Sequence, residues 1–174
     1  MEERHKEISW QLIFEQGNSF YICSKLCERE INEVSGDYCI YYAPQIVNLV
    51  LACELYLKAL LAFAGIPFDK THHLDKLFEC LPKETKHYVE KAAFQKYGTL
   101  TDAFGTDLMS VCANAFVEWR YSFEKESLIG YHGYLQVLAT VLQDLCCRDF
   151  YGITWETYAR GQRIEKIAGL KYEN

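Results

Sequence analysis

Between Val47 and Gly65 the chain reads VNLVLACELYLKALLAFAG, an apolar run of helical length broken by two charged residues, Glu54 and Lys58. A bilayer-spanning helix needs about 20 apolar residues in a row and tolerates charges at its centre poorly. The run is therefore expected to be a core helix of a soluble protein that makes no membrane contact. Pro44 suits a first helical turn, Gly65 suits a C-terminal cap, and Pro67 follows just beyond. Apolar residues fall on nearly every side, as they do where a helix is surrounded by others. Glu54 and Lys58 stand four apart, in the order that favours an ion pair along a helix. Val50, Leu51, Leu57 and Leu61 flank Glu54 on the same face, so its carboxylate is expected to be partly buried. A buried carboxylate needs a partner, near or far in sequence. Two readings stay open: a structural pair, or part of a site.

The remaining chain repeats the helical pattern. A first segment, Lys6 to Asn32, carries Trp10, Ile13, Phe14, Phe20, Cys27 and Ile31 at mostly three- or four-residue steps. In THHLDKLFECLP, Thr71 can cap a short helix whose Leu74, Leu77, Phe78 and Leu81 share one face before Pro82. KETKHYVEKAAFQKYG reads as a helix up to Gly98, its Lys83, Lys86, His87, Lys91 and Lys96 interleaved with Glu84 and Glu90 as a solvated face. A single helix is expected to carry Leu108, Val111, Cys112, Ala115, Trp119 and Phe123 on one stripe. A last long one, Tyr131 to Asp149, faces Tyr134, Leu138, Val141, Leu142 and Leu145 inward. The expected fold class is all-α, a helical bundle with short additional helices. A length of 174 residues fits one domain, 1–174, with an N-terminal helix within 1–40 and a C-terminal tail over 150–174 packing on the bundle. That tail mixes Trp155, Tyr158 and Tyr172 with Arg160, Arg163, Lys166 and Lys171, rings beside cations of the kind that suit single-stranded nucleic acid.

Twenty-four acidic against 18 basic residues leave a net charge of −6, which disfavours non-specific nucleic-acid binding over the whole surface. None of the eight cysteines forms a Cys-x-x-Cys, so no metal site is expected. MEERHKEISWQL lacks the apolar core of a secretory signal, and free, buried thiols in a reducing cytoplasm are the expectation. No Gly-rich phosphate loop or Ser/His/Asp arrangement is present, and no cofactor is expected.

NLVLACELYLKALLAFAG, then THHLDKLFECLP, then AFVEWRYSFEKES, in that order and with a glycine-rimmed loop between the first two, resembles the HEPN superfamily over roughly Tyr42 to Leu145. The resemblance implies a helical bundle that dimerises. It also implies one of three roles: a metal-independent ribonuclease of toxin or phage-defence systems, a partner of a nucleotidyltransferase, or a non-catalytic binding module. The family's ribonucleases carry Arg-x4–6-His on the late long helix. Here the matching arginine is Arg120, while the histidine positions hold Lys125, Glu126 and Ser127. Without that histidine the family's cleavage chemistry would need His72, His73 or His132 to substitute in space.

The leading expectation is thus a cytoplasmic, homodimeric HEPN-like accessory or binding module for RNA, a nucleotide or a partner. Its expected context is prokaryotic defence, toxin–antitoxin or nucleotide-linked regulation, beside a nucleotidyltransferase or antitoxin. The alternatives are a ribonuclease with a divergent site around Arg120, and a protein-interaction module without a nucleic-acid ligand. Candidate ligand-binding residues are Glu54, Lys58, His73, Arg120, Tyr121 and Glu124, with Arg120 the one catalytic candidate. Structurally, Arg120 is expected to pair with Glu124 one turn on or with Glu54 across the bundle, a fork that would lock two helices together.

Overall fold

The computed structural model describes residues 9–33, 41–101, 105–113, 115–121, 124 and 132–162, with the side chains of 30–33 left aside. These residues form eight helices: α1 (Trp10–Glu33), α2 (Tyr42–Phe63), α3 (Leu74–Glu79), α4 (Lys83–Tyr97), α5 (Leu108–Val111), α6 (Ala115–Arg120), α7 (His132–Tyr151) and α8 (Trp155–Gly161). No strand occurs among the described residues, only an isolated antiparallel bridge between Thr101 and Asp107. The chain is an all-α helical bundle, as its periodicity predicts.

α2 is the axis, with α1, α3, α6 and α7 packed around it. Ile46, Leu49, Val50, Cys53, Leu57 and Leu61 are all fully buried along it. This helix is long and apolar enough to cross a membrane by length and composition, but its apolar surface is taken up by its neighbours. It ends where the sequence indicates. Gly65 turns into the left-handed region at φ +67°, its N–H bonds to Ala62 O at 3.1 Å, and that of Ile66 reaches back to Leu61 O at 2.9 Å. Those two bonds satisfy carbonyls that the helix end would otherwise orphan.

Two expectations change. Thr71 does not cap α3; His73 occupies the cap position, and the Thr71 hydroxyl accepts instead from the His73 N–H at 3.1 Å. The face of Leu74, Leu77, Phe78 and Leu81 is nonetheless buried as predicted. The single helix expected after residue 105 is two short ones. Asp107 caps the first through Ser110 N–H at 3.0 Å, and tight bonds from Ala113 N–H to Ser110 O and from Ala115 N–H to Cys112 O turn the chain between them. α5 can then dock on α3 while α6 docks on α2, which one straight helix could not do. The last long helix, expected from Tyr131 to Asp149, is α7, opening at His132 and running to Tyr151. Phe123, Cys39 and the tail residues Arg163, Lys166, Lys171 and Tyr172 lie outside the described residues, as do positions 125–127.

Two side-chain assemblies tie the helices together. Asn18 of α1, Tyr56 of α2 and Gln143 of α7 form a buried triangle. In it Tyr56 Oη donates to Asn18 Oδ1 at 2.8 Å, and Gln143 Nε2 lies 3.0 Å from Asn18 Oδ1 and 2.7 Å from Tyr56 Oη. At one end, Trp10, Phe14, Phe63, Phe150 and Tyr158 make an aromatic cluster, Phe14 and Phe150 meeting edge to face at 5.6 Å. Tyr158 stacks between this cluster and Trp155, so the described part of the tail packs on the bundle. Among the described cysteines, Cys53, Cys112, Cys146 and Cys147 are buried thiols as expected, whereas Cys23 and Cys80 are exposed. Burial pushes the thiols of Cys112 and Cys147 up to about 12.

Candidate functional site

Glu54 sits at the middle of α2 with its side chain only 4% exposed. One turn on, Lys58 Nζ donates to its Oε1 at 2.6 Å. The loop that leaves Gly65 returns to place His72 against the other oxygen, with Nδ1 2.9 Å from Oε2. The carboxylate is therefore held on both sides, which is what a buried carboxylate requires. With Nδ1 donating to Glu54, the imidazole is fixed in the tautomer that leaves Nε2 as an acceptor.

The His72 ring, more than half exposed, lies on Phe116 of α6 with centroids 4.7 Å apart and planes at 30°. The guanidinium of Arg120 lies 4.8 Å from the centroid of the same Phe116 ring and 4.7 Å from that of Tyr121. Its Nη2 also donates to Tyr121 Oη at 2.9 Å. Glu54, His72, Phe116, Arg120 and Tyr121 thus form one continuous row from the core to the surface. Lys58 stands on its inner edge.

The expected pairing of Glu54 with Arg120 does not form. His72 and Lys58 fill both oxygens of the carboxylate, and the short α6 carries Arg120 to its outer end, where the side chain is exposed. Arg120 does not pair with Glu124 either; it turns to the two rings, and Glu124 is an exposed residue bonded through its backbone N–H to Tyr121 O. Of the candidate residues, the row unites Glu54, Lys58, Arg120 and Tyr121. His73 and Glu124 lie outside it. Phe116 is not among the residues expected from the sequence, and His72 is expected only as one of three histidines able to substitute in space. The available signal was the HHL at the start of α3.

His132 lies elsewhere, beside Tyr42 at 5.8 Å, while Tyr42 packs on Trp119. Its Nε2 is buried without a hydrogen-bond partner. Burial holds its pKa below the ordinary 6.5, opposed by Glu28 and reinforced by Lys25. A histidine depressed in the folded state contributes stability that is complete above its unfolded pKa and lost as pH falls below it. The melting temperature is therefore expected to fall between about pH 7.5 and 5.5, and the fall should be shallower in His132→Gln. Equal slopes in the two proteins would show that His132 titrates as a solvated group.

No group of three or more His, Cys, Asp or Glu side chains among the described residues is placed to hold a metal ion. The chain matches no curated protein and no solved structure. The sequence model of the HEPN domain matches residues 27–126, more than half of the chain, and spans α2 to α6 with every residue of the row described above. The protein belongs to the HEPN domain family. Membership connects it with nucleotide- or RNA-related functions, or with the modules that this family supplies.

Proposed function

We propose that the protein is an RNA-binding HEPN module and that the Lys58–His72–Arg120–Tyr121 face is where the strand lies. The observation that carries this reading is the single Phe116 ring shared by His72 at 4.7 Å and Arg120 at 4.8 Å, which brings an imidazole able to accept from a ribose hydroxyl beside a guanidinium able to donate to phosphate, from separate segments. The chain is acidic overall, so binding depends on such a local arrangement. Tyr121, exposed beside the guanidinium, supplies a ring on which a base can stack. Fluorescence anisotropy with a short labelled single-stranded RNA tests the reading. Arg120→Ala is expected to weaken binding by about tenfold, and to reduce the salt dependence by about the 0.7 that one phosphate contact contributes. Equal affinity in wild type, Arg120→Ala and His72→Ala would overturn it.

A second reading rests on the Glu54–His72 bond. An imidazole oriented by a buried carboxylate, with a guanidinium alongside, is a familiar general-base arrangement. In this reading a 2′-hydroxyl proton passes to His72 Nε2, and the 2′-oxygen attacks the adjacent phosphorus. Arg120 neutralises the phosphate charge while the leaving 5′-oxygen takes a proton from water. RNA cleavage in excess chelator, abolished by His72→Ala and by Arg120→Ala, would put this reading first. Binding without cleavage would leave the module non-catalytic.

A further inference from the structure

Away from this face, α3, α4, α7 and the segment leading into α5 enclose a recess of about 220 Å³. Its floor is apolar: Phe78, Val89, Met109 and the ring of Tyr134. Among the described residues its charged lining is wholly acidic, Asp75, Glu79, Glu90 and Asp107 with Ser110 beside them, and includes no lysine or arginine. Two of these carboxylates are engaged. Lys86 Nζ binds Glu79 at 2.7 Å, and Asp107 accepts from Ser110 N–H and Oγ. Asp75 and Glu90 have no such partners. The Oδ1 atom of Asp75 is buried with no hydrogen bond at all. Beside it, Tyr134 is only 3% exposed, lines the recess, and makes no hydrogen bond with another described residue.

A buried, unpartnered carboxylate oxygen is costly, and unexplained unless something satisfies it. The first turn of α3 favours a negative residue at Asp75, which accounts for its charge but not for the empty acceptor. Burial, together with the charges of Asp107 and Glu90, pushes the Tyr134 phenol up, in keeping with a negative potential inside the recess. That potential repels phosphates. The volume is also below the roughly 300–1,000 Å³ of drug-sized sites, too small for a nucleotide.

We infer that this recess is a binding site for a small organic cation, a primary amine on a compact apolar body. The ammonium sits between Asp75 and Glu90, and the body lies on Phe78, Met109 and the Tyr134 ring. Such a site is separate from the RNA face and does not depend on it.

The probe is 2-phenylethylamine, titrated into the full chain by calorimetry beside 2-phenylethanol and phenylacetate, which keep the body and change the head. The amine is expected to bind about tenfold more tightly than the alcohol, and the carboxylate not at all. Asp75→Asn and the exposed Glu90→Gln should each bring the amine towards the alcohol while leaving the alcohol's affinity unchanged. Thermal melts confirm that each variant is folded, and Glu90→Gln carries the test if Asp75→Asn is not. Equal binding of amine and alcohol, or no binding of any of the three, would overturn the inference. Amine binding that persists unchanged in a folded Glu90→Gln and Asp75→Asn would do the same.

Discussion

Glu54→Gln is expected to lower the unfolding free energy by about 3 kcal/mol, the lower end of what breaking a buried ion pair costs. The carboxylate is almost wholly enclosed, while Lys58 is 16% exposed and His72 57% exposed. Glutamine keeps the size and part of the hydrogen bonding, yet it leaves the Lys58 ammonium in an apolar setting without an anion. The partial access of both donors to water keeps the loss from being larger. Removing the cation as well should restore much of it. Glu54→Leu combined with Lys58→Met is expected to be more stable than Glu54→Gln, since a well-packed apolar pair often equals a buried ionic one. His72→Ala alone should cost less than about 1 kcal/mol, as exposed pairs do. Urea denaturation of the four proteins at neutral pH reads out the whole set. A Glu54→Gln protein as stable as wild type would mean that Lys58 swings out to solvent at no cost.

Gly17→Val should destabilise by about 3 kcal/mol, the upper end of the usual cost of overpacking. A Cβ added at Gly17 would stand 2.9 Å from Tyr56 Cε1, 3.0 Å from Cδ1 and 3.3 Å from Leu55 Cβ. Room would have to come from the tyrosine, and the tyrosine cannot give it: its ring is fully buried and its hydroxyl is held by Asn18 and Gln143. Alanine at the same position recovers about 1 kcal/mol of helix propensity and should fall between glycine and valine. Calorimetric melts of the series Gly, Ala, Val give the order. Stability that rises with side-chain size would show that α1 can slide away from α2 without penalty.

Much of the architecture is legible in the sequence because its signals are local. The continuous apolar run of α2, the glycine stop at Gly65, the stripe of α3 and the inward face of α7 each follow from spacing alone. Glu54 reads as buried for the same reason, since Leu57 and Leu61 share its face. Its partner does not. That His72 arrives first depends on the path of a loop, and that Arg120 stays outside depends on a break near Cys112 that lets α6 turn. Periodicity cannot separate one amphipathic helix from two short ones bearing the same stripe. The acidic recess was equally hidden, because Asp75, Glu79, Glu90 and Asp107 come from three separate stretches and each looks like an ordinary surface residue. Asn18 and Gln143 look like polar-face residues too, and they meet across 125 positions.

That meeting bears on where a self-sufficient piece of this chain begins and ends. The family match runs from residue 27 to 126, so its first boundary falls inside α1 and its second ahead of α7. Trimming to those limits would discard Phe14, Asn18 and Gln143, strand the Tyr56 hydroxyl in the core, and bare the flank of α2 that Leu138 and Leu142 cover. The recognisable segment and the smallest foldable segment are different objects here. Any truncation meant to isolate the proposed RNA face should therefore keep both flanking helices.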